Sequence, residues 1–409
     1  GMNRFRAKNG PLKALSPKRA NSRGMDFNAQ FQLSEQLLSL DLDSLGKIQR
    51  LHFLEIPFVK STKTYQSPNN NPLKTSIDRV VDSLAQAYIR QGHTAGLALA
   101  ITEKGKVSTY SYGTTDKKRS ILPDPASTIF EIGSVTKTFT ALLLAKQVAS
   151  GQMALVDPIQ GYLPDSIGPL GFQGDPIRLV HLANHTSGLP RLPENIFNGK
   201  VDPANPYRHY NTDSLFSYLK HYQSRDSVGR KFSYSNYGAG LLGVILERRT
   251  GIRFQDLIKK NITVPLKMGS TFIHIPNDRK KDLASGYNER GLETSPWDLA
   301  SLKGSGAISS TLMDMVKYVQ AQLTGRPALA NAIKLSHRTS FQNGGQDMAL
   351  GWRIQRLGNQ HYLHHAGGTG GFRSFVGFNE DKQLGVVILS NTAEDVAQLG
   401  ETLLKYLIR

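Results

Sequence analysis

Two side chains three positions apart, Ser134 and Lys137, have the types and spacing for nucleophilic chemistry. They lie in Phe130-Glu131-Ile132-Gly133-Ser134-Val135-Thr136-Lys137, which runs into the apolar stretch Phe139–Ala145. The spacing puts both on one face of the first turn of a helix. A hydroxyl there sits near the positive end of the helix dipole, beside an amine in partly dry surroundings. Desolvation favours the neutral amine, which can take a proton from the hydroxyl and make Ser134 a nucleophile. The pattern alone does not single it out, because Ser44…Lys47 and Ser217…Lys220 repeat it. A solvent-facing Ser and Lys is the ordinary meaning of such a match. Ser134 differs in context: Gly133 permits a sharp turn before it, and an apolar, buried helix follows until Gly151.

Two further constellations lie downstream. Tyr234-Ser235-Asn236 is the only Tyr-x-Asn among fifteen tyrosines. A phenol near a lysine can share its proton, and an amide can hold both that lysine and a substrate amide. His365-Ala366-Gly367 is the only His-x-Gly in the chain and precedes an alternating apolar run. A glycine after such a residue lets a substrate backbone approach a strand edge closely.

Elements that could position these groups are readable from periodicity. A helix is expected from Ile77 through Ile89, then a hairpin of the apolar strand 95–101 and the alternating strand 107–112. After the central helix, residues 152–303 read as helix and long loop, rich in Pro, Asn and Gly. Strand signals return at 351–354, 362–363, 371–378 and 384–389, and a final helix covers 396–408. Strands at both ends with helices between predict an α+β fold, one antiparallel sheet built from distant segments with a helical region inserted. Residues 1–73 differ in kind. Positions 1–25 read as disordered, 34–58 as short leucine-rich helices, and Ser67–Pro72 as a linker.

Composition narrows the chemistry. With no cysteine among 409 residues, disulfides, thiol catalysis and Cys-bound metal are excluded. The net charge of +18 would suit nucleic acid, an anionic membrane or an acidic cell-wall surface. The Lys and Arg are scattered, without the aromatic interleaving of a nucleic-acid-binding sheet, so no nucleic-acid partner is expected. No apolar run reaches the ~18 residues of a membrane span. The first 23 residues are basic but lack an apolar core, so no secretory signal is visible in them.

The order Ser-x-x-Lys, Tyr-x-Asn about 100 residues on, then a basic-x-Gly near the end resembles the serine β-lactamase and penicillin-binding-protein superfamily. More narrowly it is similar to the branch of class C β-lactamases, D-alanyl-D-alanine carboxypeptidases and related esterases. Segments 151–158, 177–190 and 304–310 agree, and the likeness spans about residues 76–409. The resemblance implies a β-lactamase/transpeptidase-like fold: an α/β part of about 74–133 and 304–409, and a helical part of about 134–303. It implies Ser134 as acylated nucleophile, Lys137 as its base and Tyr234 as proton relay to the leaving group. Asn236, His365 and Gly367 would bind substrate, and the backbone N–H groups of Ser134 and Gly368 would form the oxyanion hole. It implies no cofactor or metal, a small-molecule or cell-wall peptide substrate, and a periplasmic or extracellular setting. One departure matters: class C β-lactamases carry Lys-Thr-Gly where this chain has His365-Ala366-Gly367. His365 would be charged only in part at pH 7, and Ala366 offers no hydroxyl. Arg373 on the following strand is a candidate for the missing charge, against the plainer reading of a surface arginine.

Other matches carry less. Gly238–Gly243 fits a dinucleotide pattern literally, but no apolar strand precedes it and the run reads as helix packing. His181 and His185 are spaced like zinc ligands, yet Leu182 stands where a metalloprotease has its glutamate. A buried His185 bonded to nearby backbone is the favoured reading there. His361 and His364 are read as structural.

Overall fold

The computed structural model describes residues 67–408 apart from 92–93, 199–200 and 225–226, together with the backbone of four strands before them. Those strands, β1 (Leu12–Asn21), β2 (Gly24–Phe31), β3 (Glu35–Leu42) and β4 (Ile48–Glu55), form an antiparallel meander in chain order. The short helices expected within 34–58 are therefore strands, and about half of the span read as disordered up to residue 25, namely 12–21 and 24–25, is strand too. The period of two was present: Leu38, Leu40 and Leu42 alternate with Ser39 and Asp41. Residues 1–11 and the Ser44…Lys47 pair lie outside the described residues.

Composition also misled at Ser67–Pro72. Asn69 bridges to Tyr112, Gly113 N–H donates to Pro68 O (2.8 Å) and Asn70 N–H to Ser111 O (3.2 Å). Asn71 Nδ2 donates to the Tyr112 hydroxyl (2.6 Å) and to Asp78 O (2.8 Å). The presumed linker thus covers the edge of the sheet. It leads into α1 (Ser76–Ile89), whose start is fixed by a capping box between Thr75 and Asp78.

The hairpin β5 (Gly96–Glu103) and β6 (Lys106–Gly113) joins late strands in one sheet. These are β9 (Asp347–Met348), β10 (Arg353–Leu357), β11 (Gln360–Gly368), β12 (Arg373–Asn379) and β13 (Leu384–Ser390). Their order is β9-β10-β11-β12-β13-β5-β6, antiparallel throughout, with Leu99 opposite Ile388 where the chain ends meet. The expected sheet from distant segments is what forms. On β5, Leu97, Leu99 and Ile101 pack with α1 and the C-terminal helix Ala397–Ile408. Ala98 and Ala100 face the other way, where the larger helical core lies. The small alanines let the helix Leu312–Thr324 approach this strand closely, and the same core holds the central helix.

That helix, α2 (Thr136–Ala149), is buried at every position from Thr136 to Ala145. A short ladder of β7 (Ile129–Glu131) with β8 (Ser309–Thr311) pins the chain just before it. The glycine-rich run belongs to α3 (Asn236–Thr250), not to a nucleotide loop. A Cβ on Gly240 would stand 2.9 Å from Leu302 Cα, and one on Gly243 3.2 Å from Gly304 Cα. These glycines bring the 300–305 turn tight against α3, which fixes the Ser305 carbonyl over α2.

Candidate active site

Ser134 occupies a 3-10 turn, Gly133–Val135, between β7 and α2. Gly133 adopts φ +48°, and a Cβ there would lie 2.6 Å from Gly368 N, so only glycine fits. Gly367 has no room either, since its Cβ would stand 2.1 Å from Ile132 O and 3.0 Å from Ser134 N. The end of β11 thus rests directly on the Ser134 turn, and Ser374 Oγ clamps it by donating to Ile132 O (2.7 Å). The His-x-Gly motif forms the last turn of strand β11 itself rather than a lead-in to a strand.

Lys137 is buried, and its Nζ lies 3.0 Å from Ser134 Oγ and donates to Ser305 O at 2.6 Å. Burial pushes the ammonium pKa down, the neighbouring Tyr234 works against that, and Arg191 adds to the depression. Tyr234 stands with its ring centroid 4.9 Å from that nitrogen. Burial disfavours ionising the phenol. The Lys137 charge, hydrogen bonds with Lys137 and Ser134, and the Arg191 charge outweigh it and lower the pKa. Both groups therefore give up a proton more readily than their free forms, and they lie close enough to pass one between them.

Ser235 is the N-cap of α3: its Oγ accepts from Gly238 N (2.8 Å) and donates to Pro190 O (2.7 Å). Asn236 opens the helix, with its N–H donating to Arg191 O (3.0 Å). Its Oδ1 is buried without a protein partner, and the residue lines a cleft with Ser134, Leu192, Tyr207, Trp297 and Thr369. A vacant acceptor beside the serine can receive a substrate N–H.

His365 is buried, and its Nδ1 lies 2.8 Å from Ala366 O. A carbonyl only accepts, so Nδ1 carries the proton and Nε2 offers a lone pair, which has no protein partner. Burial first, then the Lys137 and Arg353 charges, hold its pKa well below the imidazole range. His365 is thus neutral, where its sequence suggests a partial charge. His185 has the complementary tautomer: its Nδ1 accepts from Ser235 N (3.2 Å), which leaves Nε2–H as a buried donor. Its ring lies 4.4 Å from the Tyr234 ring, and the Tyr234 and His365 centroids are 6.4 Å apart. The backbone bond expected for His185 is present; its packing against Tyr234 has no signal in the sequence.

Arg373 is not itself a lining residue of this cleft, although its guanidinium lies against Gly368 and Thr369, which are. Its Nη1 donates to Thr369 O (2.7 Å) and Phe372 O (2.9 Å), and its charge acts on Tyr88 of α1, on the opposite face of the sheet. Ser217 and Lys220 are both exposed on the helix Thr212–His221, without the dry surroundings a base requires. His181 Nδ1 accepts from Arg178 N (3.2 Å), and among the described residues no group of acidic, His or Cys side chains could hold a metal. A residue not singled out in the sequence is Glu131, buried beneath the cleft. It accepts from Trp297 N (2.7 Å) and from Thr369 Oγ1 (2.6 Å), tying two cleft walls to β7.

Known proteins resemble this chain in sequence and fold. The Beta-lactamase family model matches residues 81–405. A beta-lactamase of Pseudomonas fluorescens is 30% identical over 357 residues, covering 78% of this chain and 94% of that protein. One from Escherichia coli K12 is 28% identical over 371 residues, covering 81% and 91%. A solved beta-lactamase/D-alanine carboxypeptidase from Pseudomonas syringae superposes with TM-score 0.72 at 25% identity, covering 82% of this chain and 99% of that one. A class C beta-lactamase structure gives 0.73 at 25% identity, covering 83% and 98%. With a family model spanning both halves of the sheet and every element of the cleft, the chain belongs to the beta-lactamase family.

Proposed function

We propose that this chain is a serine hydrolase of the β-lactamase and D-alanine carboxypeptidase type, acylated on Ser134. The observation that carries the reading is the buried Lys137 amine 3.0 Å from the Ser134 hydroxyl, with Tyr234 beside both. Neutral Lys137 takes the Ser134 proton as Oγ bonds to the substrate carbonyl carbon. The carbonyl electrons move to oxygen, where the N–H groups of Ser134 and Gly368 form the oxyanion hole. Collapse breaks the bond to the leaving group, which receives a proton through Tyr234. Asn236 Oδ1 accepts from the acyl amide, and Gly367 lets the substrate backbone lie along β11. Neutral His365 offers its Nε2 lone pair to Tyr234 or to a substrate N–H. Water then repeats the sequence on the acyl-enzyme: Lys137 takes a proton from the attacking water, and the departing Ser134 Oγ receives one through Tyr234, which leaves Lys137 neutral again.

The substrate class is a small amide or ester, with cell-wall D-alanyl peptides and β-lactams first, and the setting periplasmic or extracellular. The apolar walls Leu192, Leu299, Leu302 and Trp297 and the missing hydroxyl at Ala366 favour an ester as the second reading. Intact mass after exposure to a penicillin, a nitrophenyl ester and a fluorophosphonate tests the assignment. Each should add one adduct to the wild type and none to Ser134→Ala at unchanged melting temperature. Labelling that persists in that variant would put the nucleophile elsewhere.

A further inference from the structure

On the hydrolase reading of Ser134, the reaction depends on a phenol held within reach of both the serine and the departing atom. Tyr234 lies in 232–235, a stretch that belongs to no helix or strand, so its place is set by what packs against it. One residue meets this stretch at three points. His185 accepts from Ser233 N–H through its carbonyl (2.7 Å) and from Ser235 N–H through its ring Nδ1 (3.2 Å). The residues on either side of Tyr234 are therefore anchored to the same histidine. The His185 ring also lies 4.4 Å from the Tyr234 ring, tilted by 38°, and takes Phe232 edge-on at 5.8 Å. The backbone of buried His185 has φ +63°, a left-handed conformation that glycine and asparagine ordinarily fill. In it the carbonyl and the ring of one residue both meet segment 233–235. Strained backbone of this kind persists where the surroundings over-determine it, and it gathers at functional sites. Burial, then the Lys137, His365, Arg353 and Arg191 charges, hold the His185 pKa well below the imidazole range, so Nδ1 stays an acceptor. A side chain that only filled space would need neither the left-handed turn nor the acceptor.

We propose that His185 is the positioning residue for Tyr234, clamping the backbone on both sides of it and packing against its ring so that the phenol stays aimed at the leaving group. His185 is not among the residues lining the cleft, so it acts through Tyr234 and not on substrate. Lys137 takes the Ser134 proton whether or not Tyr234 is well aimed. The effect of His185 therefore falls on departure of the leaving group, and it grows with how much that group needs a proton. A nitrophenolate needs one little and a phenolate much more.

The test compares 4-nitrophenyl butyrate with phenyl butyrate, which give the same acyl-enzyme and differ in the basicity of the departing oxygen. His185→Gly suits the left-handed backbone and removes both the ring and the acceptor. It should lower kcat/KM for the phenyl ester by about 10- to 100-fold, and for the nitrophenyl ester by less than about threefold. His185→Asn also suits that backbone and places Oδ1 where Nδ1 stood, so it should recover part of the loss on the phenyl ester. In a Tyr234→Phe background, His185→Gly should cost less than about threefold more on the phenyl ester, because the group it acts through is gone. Equal losses on the two esters, or no loss on either, overturn the proposal. So does a full further loss in the Tyr234→Phe background. If His185→Gly does not fold, His185→Asn carries the test, since it lacks the ring. It should lower the phenyl ester about three- to tenfold more than the nitrophenyl ester, and an unchanged ratio overturns the proposal. In all these cases a fluorophosphonate still labels Ser134 of the wild type, so the nucleophile stands. A wild type that takes no fluorophosphonate on Ser134 would remove the hydrolase reading itself.

Discussion

At the scale of single residues, the site works by making groups unlike their free forms. Lys137 and Tyr234 are both pushed toward lower pKa, by burial in one case and by neighbouring positive charge in the other. In the proposed mechanism the base, Lys137, must be unprotonated, so kcat/KM for a neutral ester should rise with pH and level off below the ordinary amine range. Removing Arg191 takes away positive charge that lowers both groups, so the same rising limb should move to higher pH in Arg191→Ala. Lys137→Ala should cost several orders of magnitude in acylation rate, read by intact mass against time. A loss below about tenfold would mean that another base serves Ser134. Ser134, Lys137, Tyr234 and Asn236 were legible in the sequence because their chemistry is carried by residue type and spacing. The charge of His365 was not, since it depends on what the fold buries around the ring. For the same reason no local pattern marks His185 as the packing partner of Tyr234, 49 positions away.

At the scale of elements, the cleft is held together by segments that the sequence separates widely: β7, the Trp297 loop and the end of β11. β7 carries Glu131, whose carboxylate receives hydrogen bonds from the Trp297 loop and from Thr369 just beyond β11. Burial raises its pKa to about 7, with those two hydrogen bonds opposing the rise. The unfolded chain ionises this group near 4.5, so between there and about 7 the native state holds the extra proton. Stability contributed by Glu131 is therefore present at low pH and falls as pH rises through that window. The scale is about 3 kcal/mol, at 1.36 kcal/mol per unit. Glu131→Gln removes this dependence. Urea denaturation should show the wild type losing about 2–3 kcal/mol more than the variant between about pH 5 and pH 8. Parallel stability curves for the two proteins would show that Glu131 does not titrate in this range. The strands themselves were legible from apolar alternation, as was α2 from its unbroken apolar run. What escaped was the cross-linking of β7, the Trp297 loop and Thr369, because a lone glutamate before Ile-Gly-Ser gives no hint of burial.

At the scale of the whole molecule, the question is where the folded body begins. Composition places the boundary near residue 74, because Ser67-Pro68-Asn69-Asn70-Asn71-Pro72 contains the residues of a loop. The structure instead lays this stretch along β6, where its asparagines supply side-chain hydrogen bonds that a regular strand would take from backbone. Ser111 N–H donates to Asn70 Oδ1 (2.8 Å), and Asn71 Nδ2 reaches both Tyr112 and Asp78. Asparagine was read as a loop former, and here it is an edge cover. The meander β1–β4 was misread for a related reason, its two-residue alternation being broken by paired leucines that also suit a helix. A chain beginning at Ser67 should match the full-length protein in urea midpoint and in nitrophenyl ester hydrolysis, since every group of the cleft lies beyond that point. A chain beginning at Lys74 loses the cover. Each severed hydrogen bond is worth about 1 kcal/mol net, and the bare β6 edge offers donors and acceptors to other chains. It should be about 2–4 kcal/mol less stable and prone to self-association on sizing columns. Equal stability of the two truncated chains would return the boundary to residue 74. Failure of the Ser67 chain to fold would instead make the β1–β4 meander a part of the hydrolase body.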